Sequence, residues 1–523
     1  MHHAQYSGPA PDKRLIDSLA TADAFPHPAD DIEIIETHIS WLILAGDHAY
    51  KIKKPLVLDF LDFGTLEKRR HYCLEELRLN RAWAPAMYLD VVPVTVSGGR
   101  ARFGGAGEPV EFALHMRRFA QDRRLDAQLE AGKLTAADAR ELADAVARRH
   151  AKASRAPADR RSRVLDLTAR FMFDNFEVLA GQVSGSVFAD LHAWTRSEIL
   201  RCNQVLAARF DDGFVRECHG DLHLSNLVRL DDGIKAFDCI EFSADLRQID
   251  VICDIAFLVM DFAARGRPDL GSAFLNRYLE ATGDYRGMQV FRLFFVYRCL
   301  VRAKVAVIRS QERSRPKDRD DDLGKAQFYC ELAAAQVARL QPRLVVMHGL
   351  SGVGKTRVSD ELLMAMPAIR VRSDVERKRL HGLAATARSD SPVGGGLYTK
   401  VANREVYARL RELAAVLLEA GYNVILDAAF LKAEERNAAI AVAREKFGHA
   451  VIVEVTAPDA VLLDRIRVRA RDRGEASEAD VEVLEYQQSQ LDPIGDSERQ
   501  RTITCDNGGE PDIASLVSRT AAW

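Results

Sequence analysis

Residues 343–356 read Arg-Leu-Val-Val-Met-His-Gly-Leu-Ser-Gly-Val-Gly-Lys-Thr, a short apolar run followed by a glycine-rich loop. The last eight residues match G-x-x-x-x-G-K-[ST], a pattern typical of phosphate-binding loops that connect a β-strand to a helix. The glycines let backbone N–H groups surround a phosphate, Lys355 adds a positive charge, and the Thr356 hydroxyl can bind Mg²⁺. The pattern therefore predicts a site for ATP or GTP. Its expected binding residues are Gly349, Ser351, Gly352, Val353, Gly354, Lys355 and Thr356.

Short apolar runs alternate with helical segments in the part of the chain that follows residue 340. The runs cover residues 344–347, 369–371, 423–426, 450–455 and 502–504. This alternation predicts a parallel sheet with crossover helices, because parallel strands need long connections. We therefore expect an α/β domain of the P-loop nucleoside-triphosphatase class.

Two carboxylates follow apolar runs of this sheet, at the edge where the phosphate loop is expected. Asp374 is a candidate base or orienting group for an acceptor hydroxyl, and a helix N-cap role is the alternative. Arg377 lies one helical turn later and is expected to hold the acceptor. Asp427, directly after Val424-Ile425-Leu426, is expected to bind Mg²⁺, with an ordinary strand-end turn as the alternative.

Arginine occupies every second position from Arg465 to Arg473. These side chains cannot all share one helix face, so a solvated helix accounts for some of them. The functional hypothesis is a mobile lid that brings one or two arginines to the transferred phosphoryl group.

With these features, residues 343–515 resemble the small P-loop kinases related to polynucleotide kinase 5′-domains, gluconate kinases and zeta-type toxins. The resemblance implies that Lys355 binds phosphate, Thr356 binds the metal and Asp374 acts as the base. It also implies that Arg377 holds the acceptor and that Arg469 belongs to the lid. No N-K-x-D motif of GTPases is present, which favours a kinase.

A second constellation lies in the first half, where residues 219–226 read His-Gly-Asp-Leu-His-Leu-Ser-Asn. Asp221 and Asn226 have the spacing of the protein-kinase loop H-R-D-x-x-x-x-N. In that loop the aspartate accepts the proton of the acceptor hydroxyl and the asparagine binds Mg²⁺. Asp238, at the end of the next hairpin, is expected to hold a second metal position. Metals are needed here because they offset the charge on the transferred phosphoryl group.

Residues 219–226 and 237–242 together resemble the aminoglycoside phosphotransferase and choline-kinase-like family. The resemblance extends over about residues 35–310 and implies a bilobal α+β protein-kinase fold acting on hydroxyls of small molecules. It implies an ATP-binding lysine, either Lys51 or Lys53, and a helix partner, either Glu76 or Glu75. It further implies that Asp254 braces the catalytic loop from a buried helix.

This half also departs from protein kinases. No G-x-G-x-x-G precedes Lys53, and no A-P-E or activation segment follows Asp238. These absences argue against peptide substrates.

Hydrophobic patterning predicts a small β-rich lobe followed by helices. Residues 38–54 read as a β-hairpin, residues 66–81 as a helix, and strands are expected near residues 91–96 and 110–115. The nearly all-charged stretch 310–322 is expected to be a solvated loop, followed by a helix at about 324–340. The expected domains are an extension over 1–34, a kinase domain over 35–310, a charged linker and connecting helix over 311–342, and a P-loop kinase domain over 343–523.

Composition excludes several classes of protein. The 523 residues are 47% hydrophobic and 28% charged, which is typical of folded globular proteins, and the net charge of −3 gives no global attraction for nucleic acid. The eight cysteines show neither a C-x-x-C pair nor zinc-site spacing, as in a reducing compartment. Neither a signal peptide nor a membrane span is recognisable, so a cytoplasmic protein is expected.

The sequence thus favours a bifunctional phosphotransferase that uses ATP and Mg²⁺ and acts on hydroxyls of small molecules. One alternative is a C-terminal nucleic-acid 5′-hydroxyl kinase, which the acidic charge balance disfavours. Another is an ATP-sensing regulatory module with one inactive site, which the intact Asp221, Asn226, Asp238 and Lys355 disfavour. The identity of either acceptor and the oligomeric state stay open.

Overall fold

The computed structural model of the protein describes residues 13–58, 61–338, 341–385, 387, 397, 399–445, 449–469 and 481–522. Contacts within the chain divide it into two compact units. Unit 1 comprises Met1–Leu134, Arg148–Phe171 and Leu206–Asp261. Unit 2 comprises Thr135–Ala147, Met172–Val205 and Phe262–Trp523.

The first part of unit 1 contains a six-stranded antiparallel sheet in the order β1-β2-β3-β8-β6-β7. The hairpin and the two further strands that the patterning predicts in this region all form. The strand bounds are β1 (Glu33–Glu36), β2 (Ser40–Ala45), β3 (His48–Lys53), β4 (Val57–Leu58), β5 (Leu61–Asp62), β6 (Tyr88–Ser97), β7 (Arg100–Phe103) and β8 (Pro109–Arg117). β4 and β5 form a separate two-stranded pair.

The chain that precedes β1 contributes to the core of this sheet. α1 (Lys13–Ser18) buries Ile16, and the segment after it buries Phe25. Both join Tyr50 and Phe103 in one hydrophobic cluster, where the rings of Phe25 and Phe103 lie 5.2 Å apart. The described part of the extension is therefore packed on the sheet by its apolar side chains.

Helices make up most of the chain between residues 120 and 340, as the patterning predicts. After α1, the helices that precede residue 340 are α2 (Leu66–Arg81), α3 (Leu125–Glu130), α4 (Ala136–Lys152), α5 (Arg161–Leu179), α6 (Gly185–Asp211), α7 (Ala244–Arg247), α8 (Val251–Ala264), α9 (Pro268–Thr282), α10 (Met288–Glu312) and α11 (Pro316–Val337). Two antiparallel strand pairs interrupt them. These are β9 (Val215–Glu217) with β12 (Gln248–Asp250), and β10 (Leu227–Leu230) with β11 (Gly233–Ala236).

The charged stretch 310–322 is largely exposed, as its composition predicts, but most of it is helical rather than a loop. α10 continues to Glu312 and α11 begins at Pro316, and the two helices pack along each other. Asp322 is buried and forms ion pairs with Arg309, Arg313 and Lys325. A buried carboxylate needs such partners, so part of this run forms an internal ion-pair cluster.

Unit 2 contains a five-stranded parallel sheet in the order β14-β15-β13-β16-β17. The strands, which agree with the five predicted runs, are β13 (Arg343–His348), β14 (Ile369–Arg372), β15 (Val424–Asp427), β16 (His449–Thr456) and β17 (Thr502–Asp506). The helices are α12 (Lys355–Ala365), α13 (Ser373–Leu380), α14 (Lys400–Glu419), α15 (Ala433–Glu445), α16 (Asp459–Arg469), α17 (Val481–Gln490), α18 (Asp496–Arg499) and α19 (Ile513–Ala521). The central strands are buried, as expected for a parallel sheet covered on both faces.

Within unit 2, α9 supplies polar groups to the edge strand β14. The Asn276 side chain donates to the Ala368 carbonyl at 3.0 Å and accepts the Arg370 N–H at 2.8 Å. The buried Glu280 carboxylate lies 2.9 Å from the Arg370 guanidinium, which also donates to Ser359 Oγ at 2.9 Å. A buried ion pair therefore joins a helix that precedes residue 340 to the parallel sheet.

The long helices differ from membrane spans. α6 and α10 contain 27 and 25 residues, but each carries charged side chains along its length. Among the described residues, no helix has both the length and the apolar character that crossing a bilayer requires. All eight cysteines are described, are buried and carry thiols rather than disulfides.

Candidate functional site

The Glu76 carboxylate of α2 binds both lysines of β3. Lys51 Nζ lies 2.8 Å from Glu76 Oε1, and Lys53 Nζ lies 2.6 Å from Glu76 Oε2. Burial raises the pKa of Glu76, but the attraction of the two ammonium groups is larger and lowers this pKa to about 2. Glu75, the alternative partner, instead pairs with Arg247. Glu76 is therefore the ionised partner of the β3 lysines.

The two lysines differ in their other partner. Lys51 Nζ lies 2.6 Å from Asp238 Oδ1, and its side chain is 15% exposed. Lys53 is 1% exposed and binds the buried carboxylate of Glu241. Lys51 therefore faces the segment that carries the expected metal ligand, whereas Lys53 lies in the protein interior.

Side chains of α8 hold the loop over residues 219–226. The fully buried Asp254 carboxylate accepts the backbone N–H groups of His219 and Gly220 at 3.0 and 2.9 Å. Gly220 has φ of +85°, and a Cβ there would lie 2.9 Å from the Leu246 carbonyl oxygen, so glycine is required. This is the bracing contact that the family resemblance implies for Asp254.

His219, the first residue of this loop, has a positioning role. Its Nδ1 lies 3.3 Å from the Asp221 N–H, and its Nε2 lies 2.9 Å from the Phe237 carbonyl oxygen. Burial lowers the pKa of His219, so the ring is neutral, with Nδ1 accepting and Nε2 donating. The imidazole thereby ties the loop to the strand that leads to Asp238.

Asp221 and Asn226 face each other inside the loop. Asn226 Nδ2 donates to the backbone oxygen and to Oδ2 of Asp221, both at 3.0 Å. The Asp221 side chain is 39% exposed, which leaves it accessible to an acceptor hydroxyl. Asp238 adopts φ of +61° and donates its N–H to Tyr88 Oη at 3.0 Å. The loop thus presents one carboxylate that can accept a proton and, nearby, oxygen ligands of the kind that Mg²⁺ prefers.

In unit 2 the glycine-rich loop connects β13 to α12, in the strand-to-helix context that the motif requires. Gly354 has φ of +88°, and a Cβ there would collide with the side-chain amide of Asn507. Asn507 Nδ2 and Arg465 Nη1 both donate to the Val353 carbonyl, at 2.7 and 3.2 Å. Arg465, the first of the alternating arginines, therefore supports the loop from outside.

Oxygen atoms of the protein accept hydrogen bonds from the ammonium and N–H groups of the phosphate loop. Lys355 Nζ donates to the carbonyls of Gly349 and Leu350, each at 2.9 Å. The Ser351 N–H donates to Gln487 Oε1 at 2.8 Å. Phosphate oxygens would accept from the same ammonium and N–H groups more strongly, because they are charged. The loop therefore presents donors suited to an anion.

The Thr356 hydroxyl lies directly beside the end of β15. Its Oγ1 is 3.1 Å from Asp427 Oδ2, and Ser359 Oγ is 3.3 Å from the same oxygen. Arg372, which pairs with Asp427 across the strands, brings Nε to 3.8 Å from it. A hydroxyl and a carboxylate at this distance form a donor set that fits Mg²⁺.

A cavity of about 580 Å³ opens beside the phosphate loop and is lined by both Asp374 and Arg377 of α13. Arg372 occupies the N-cap position of this helix, so the N-cap role considered for Asp374 is wrong. Arg377 is buried and donates to the Leu397 carbonyl at 2.9 Å. Arg469 ends α16, and its side chain, like residues 470–480, lies outside the described residues.

Sequence reasoning missed the far wall of this cavity. Three of its residues lie on one face of α14, one directly precedes α15 and one lies on α15: Lys400, Arg404, Tyr407, Lys432 and Glu435. Burial raises the pKa of Glu435 to about 7, although a hydrogen bond from Tyr407 opposes the shift. Only the spacing of residues 400, 404 and 407 along a helix could have indicated a shared face.

Two family models match the chain. Residues 73–291 match the model of the phosphotransferase enzyme family. This range contains Glu76, the loop that carries Asp221, and Asp238. Residues 344–494 match the model described as an AAA domain, which includes the phosphate loop and Asp427. The chain therefore contains two kinase-type domains, as the sequence resemblances predict.

Two solved structures are similar to part of the chain. A gluconokinase from Sinorhizobium meliloti 1021 is 21% identical, with 35% of this chain and 92% of that chain covered and a TM-score of 0.25. A choline/ethanolamine kinase family protein from Mesorhizobium loti is 12% identical, with 62% of this chain and 100% of that chain covered and a TM-score of 0.38.

One relative matches almost the whole length. The uncharacterized protein Rv2004c of Mycobacterium tuberculosis (strain ATCC 25618 / H37Rv) is 30% identical over 481 residues, which are 90% of this chain and 93% of that protein. The chain therefore belongs to the same family as this mycobacterial protein, and it joins a domain of the phosphotransferase enzyme family to a P-loop domain of the AAA type.

Proposed function

We propose that the protein is a bifunctional phosphotransferase, in which each domain transfers the γ-phosphoryl group of ATP to a hydroxyl of a small molecule. The observation that supports this proposal is that each half contains a lysine, a carboxylate suited to Mg²⁺ and a second carboxylate suited to proton transfer. In the first half the lysine contacts the first carboxylate, and in the second half all three line one cavity. In that order, the residues are Lys51, Asp238 and Asp221 in the first site and Lys355, Asp427 and Asp374 in the second.

We assign the two sites to domains over residues 35–310 and 343–523, with residues 311–342 as the connecting segment. We also propose that the protein acts in the cytoplasm. The eight buried thiols support a reducing compartment.

In the first site, Lys51 is the proposed ATP lysine, and Lys53 keeps Glu76 in position. Asp221 accepts the proton of the acceptor hydroxyl while the oxygen of that hydroxyl bonds to the γ-phosphorus. At the same time, the bond between the γ-phosphorus and the β,γ-bridging oxygen breaks. Asn226 and Asp238 would hold Mg²⁺, which offsets the negative charge of the transferred group.

In the second site, the N–H groups of the phosphate loop and Lys355 bind the ATP phosphates. Thr356 and Asp427 would hold Mg²⁺, and Asp374 accepts the proton of the acceptor hydroxyl. Arg377 orients the acceptor, and Arg469 is proposed to belong to a lid that covers the transferred group.

The cavity beside the phosphate loop is better suited to a small, negatively charged acceptor than to a polynucleotide. Its volume of about 580 Å³ lies within the usual range for small-molecule sites. On the far wall, Lys400, Arg404 and Lys432 outnumber the single carboxyl of Glu435. Because burial favours the protonated form of that carboxyl, the wall is on balance positive at neutral pH.

Two substitutions separate the two activities. We expect the full-length protein, incubated with a metabolite extract and ATP labelled in its γ-phosphoryl group, to produce two sets of labelled phosphoesters. Asp221→Ala removes the catalytic base of the first site, so it should reduce one set at least 100-fold. Lys355→Ala removes the phosphate-binding charge of the second site and should reduce the other set. Mass spectrometry of the products measures both effects.

The matched controls are Asp231→Ala and Lys317→Ala, since both replaced side chains are exposed. If neither Asp221→Ala nor Lys355→Ala reduces any product, the proposed function is wrong. If the label instead enters 5′-hydroxyl oligonucleotides and Lys355→Ala abolishes it, the second domain is a nucleic-acid kinase.

Substitutions of the two β3 lysines should have different effects. In a Lys355→Ala background, which leaves only the first site, Lys51→Met should weaken ATP binding at least tenfold because it removes the ammonium group that faces Asp238. Lys53→Met leaves Glu241 buried without its cation and should lower the free energy of unfolding by about 3–5 kcal/mol. Calorimetric ATP titration and thermal unfolding measure the two effects. The opposite pattern would assign the ATP-binding role to Lys53.

Stability should depend on pH through Glu435. Between its ordinary pKa of 4.5 and its native pKa of about 7, the native carboxyl keeps a proton that the unfolded chain has released. The native state then binds more protons, so stability falls as pH rises through this window. Relative to Glu435→Gln, we expect the native protein to lose up to about 3 kcal/mol between pH 4.5 and pH 8. Urea denaturation at both pH values measures this difference, with the exposed Glu434→Gln as control. A pH-independent difference would show that Glu435 has an ordinary pKa.

A further inference from the structure

Three histidines meet on the face of the unit 1 sheet that lies opposite Lys51. Side chains alternate along a strand, so His48 and Tyr50 of β3 share one face and Lys51 lies on the other. β8 pairs with β3 so that His115 lies opposite Tyr50, which makes His48 and His115 diagonal neighbours. His27 comes from the segment before β1 and stacks on His48, with the ring centroids 3.9 Å apart.

The ring nitrogens of these histidines converge. One nitrogen from each of His27, His48 and His115 lies within 4.8 Å of the other two. His48 Nδ1 is 2.8 Å from His115 Nε2. Metal–nitrogen distances of about 2.0–2.1 Å place two ligands of a tetrahedral ion about 3.4 Å apart. The spacing is therefore close to that of a tetrahedral site. The rings are stacked, with interplanar angles of 25° for His27–His48 and 29° for His48–His115, so they must rotate for their lone pairs to meet at one ion.

Two of the imidazoles have an oxygen acceptor at Nδ1. His115 Nδ1 is 2.7 Å from Asp90 Oδ1, and His27 Nδ1 is 2.8 Å from the Pro28 carbonyl oxygen. Such an acceptor keeps the proton on Nδ1 and leaves the Nε2 lone pair as an acceptor, as in most histidine ligands. The His27 Nε2 lone pair faces Tyr50 Oη at 3.0 Å, so this hydroxyl must turn away for the nitrogen to bind an ion. His48 then donates its Nδ1 proton to His115 Nε2. Binding an ion through His48 Nδ1 requires the other tautomer, in which that proton lies on Nε2.

We propose that His27, His48 and His115 form a binding site for a divalent transition-metal ion of the zinc class, with Asp90 orienting His115. Neutral imidazoles suit Zn²⁺, Co²⁺, Ni²⁺ and Cu²⁺, whereas Mg²⁺ prefers oxygen ligands. Three protein ligands leave a fourth position for water.

The ion would lie on the opposite face of the sheet from Lys51 and would take no part in phosphoryl transfer. It would join the segment that carries His27 to β3 and β8, two neighbouring strands of the sheet. β3 also carries Lys51 on its other face, so the ion would stabilise the strand from which the first site is built. This metal site does not depend on which molecules the two domains phosphorylate.

Cobalt(II) is the probe for this site, because nitrogen-ligated tetrahedral Co²⁺ absorbs visible light far more strongly than octahedral Co²⁺ bound by oxygen. The full-length protein is stripped with a chelator and titrated in excess Mg²⁺, which fills oxygen-ligand sites. His2 and His3 are replaced by serine throughout, since terminal histidines also bind metals. We expect one Co²⁺ per chain with intense absorption, displaced by Zn²⁺, and a higher thermal midpoint with Zn²⁺.

The variants test each contribution. His48→Gln and His115→Gln should each weaken binding at least 100-fold and remove the Zn²⁺-dependent rise of the thermal midpoint. Asp90→Asn should weaken binding about 10- to 100-fold, as loss of such an orienting partner does elsewhere. His71→Gln, at an exposed position of α2, is the control and should bind normally. The proposal is overturned if intense absorption is absent, or if it persists in the His48→Gln/His115→Gln double variant.

Discussion

The buried Glu76 carboxylate accepts from two lysines, of which Lys53 is buried and Lys51 is partly buried, and this contact fixes the relative positions of several elements. It ties α2 to β3, and through Lys51 it also reaches Asp238. Removing this carboxylate would leave two ammonium groups buried, which is far more costly than losing an exposed ion pair. The geometry of the first site therefore depends on the charge of Glu76.

The second site depends on a buried carboxylate in a similar way. Asp427 binds the hydroxyls of Thr356 and Ser359, and Ser359 in turn accepts from Arg370. Arg370 pairs with Glu280 of α9, so the network extends from Asp427 to a helix that precedes the P-loop domain in sequence. Substitutions along this series of contacts should therefore also affect the phosphate loop, because residues in one hydrogen-bond and ion-pair network are energetically coupled.

Much of the fold follows from local patterning. Alternating apolar runs predicted the parallel sheet, and the glycine-rich loop and residues 219–226 each carry their chemistry within one short segment. The exposure of the charged stretch 310–322 was predicted correctly, but its helical conformation was not, and composition does not reveal that Asp322 is buried among cations of two helices. Patterning reports the average environment of a segment, whereas that burial is set by helix packing.

The choice between Lys51 and Lys53 could not be made from sequence for a related reason. Both residues share one face of β3, and their difference lies in partners that are almost 190 residues away along the chain, Asp238 and Glu241. The far wall of the cavity beside the phosphate loop was missed because its residues come from two separate segments of the chain and form no motif. The positions of Asp374 and Asp427 were predictable, since both follow strands of one parallel sheet.

Two independent ATP sites in one chain are the central claim, and the stoichiometry of nucleotide binding tests it most directly. Calorimetric titration of the full-length protein with a non-hydrolysable ATP analogue and Mg²⁺ should give two equivalents per chain. One equivalent should remain after Lys51→Met and one after Lys355→Ala, with none in the double variant. A single equivalent in the unmodified protein, or loss of both equivalents through one substitution, would contradict the claim.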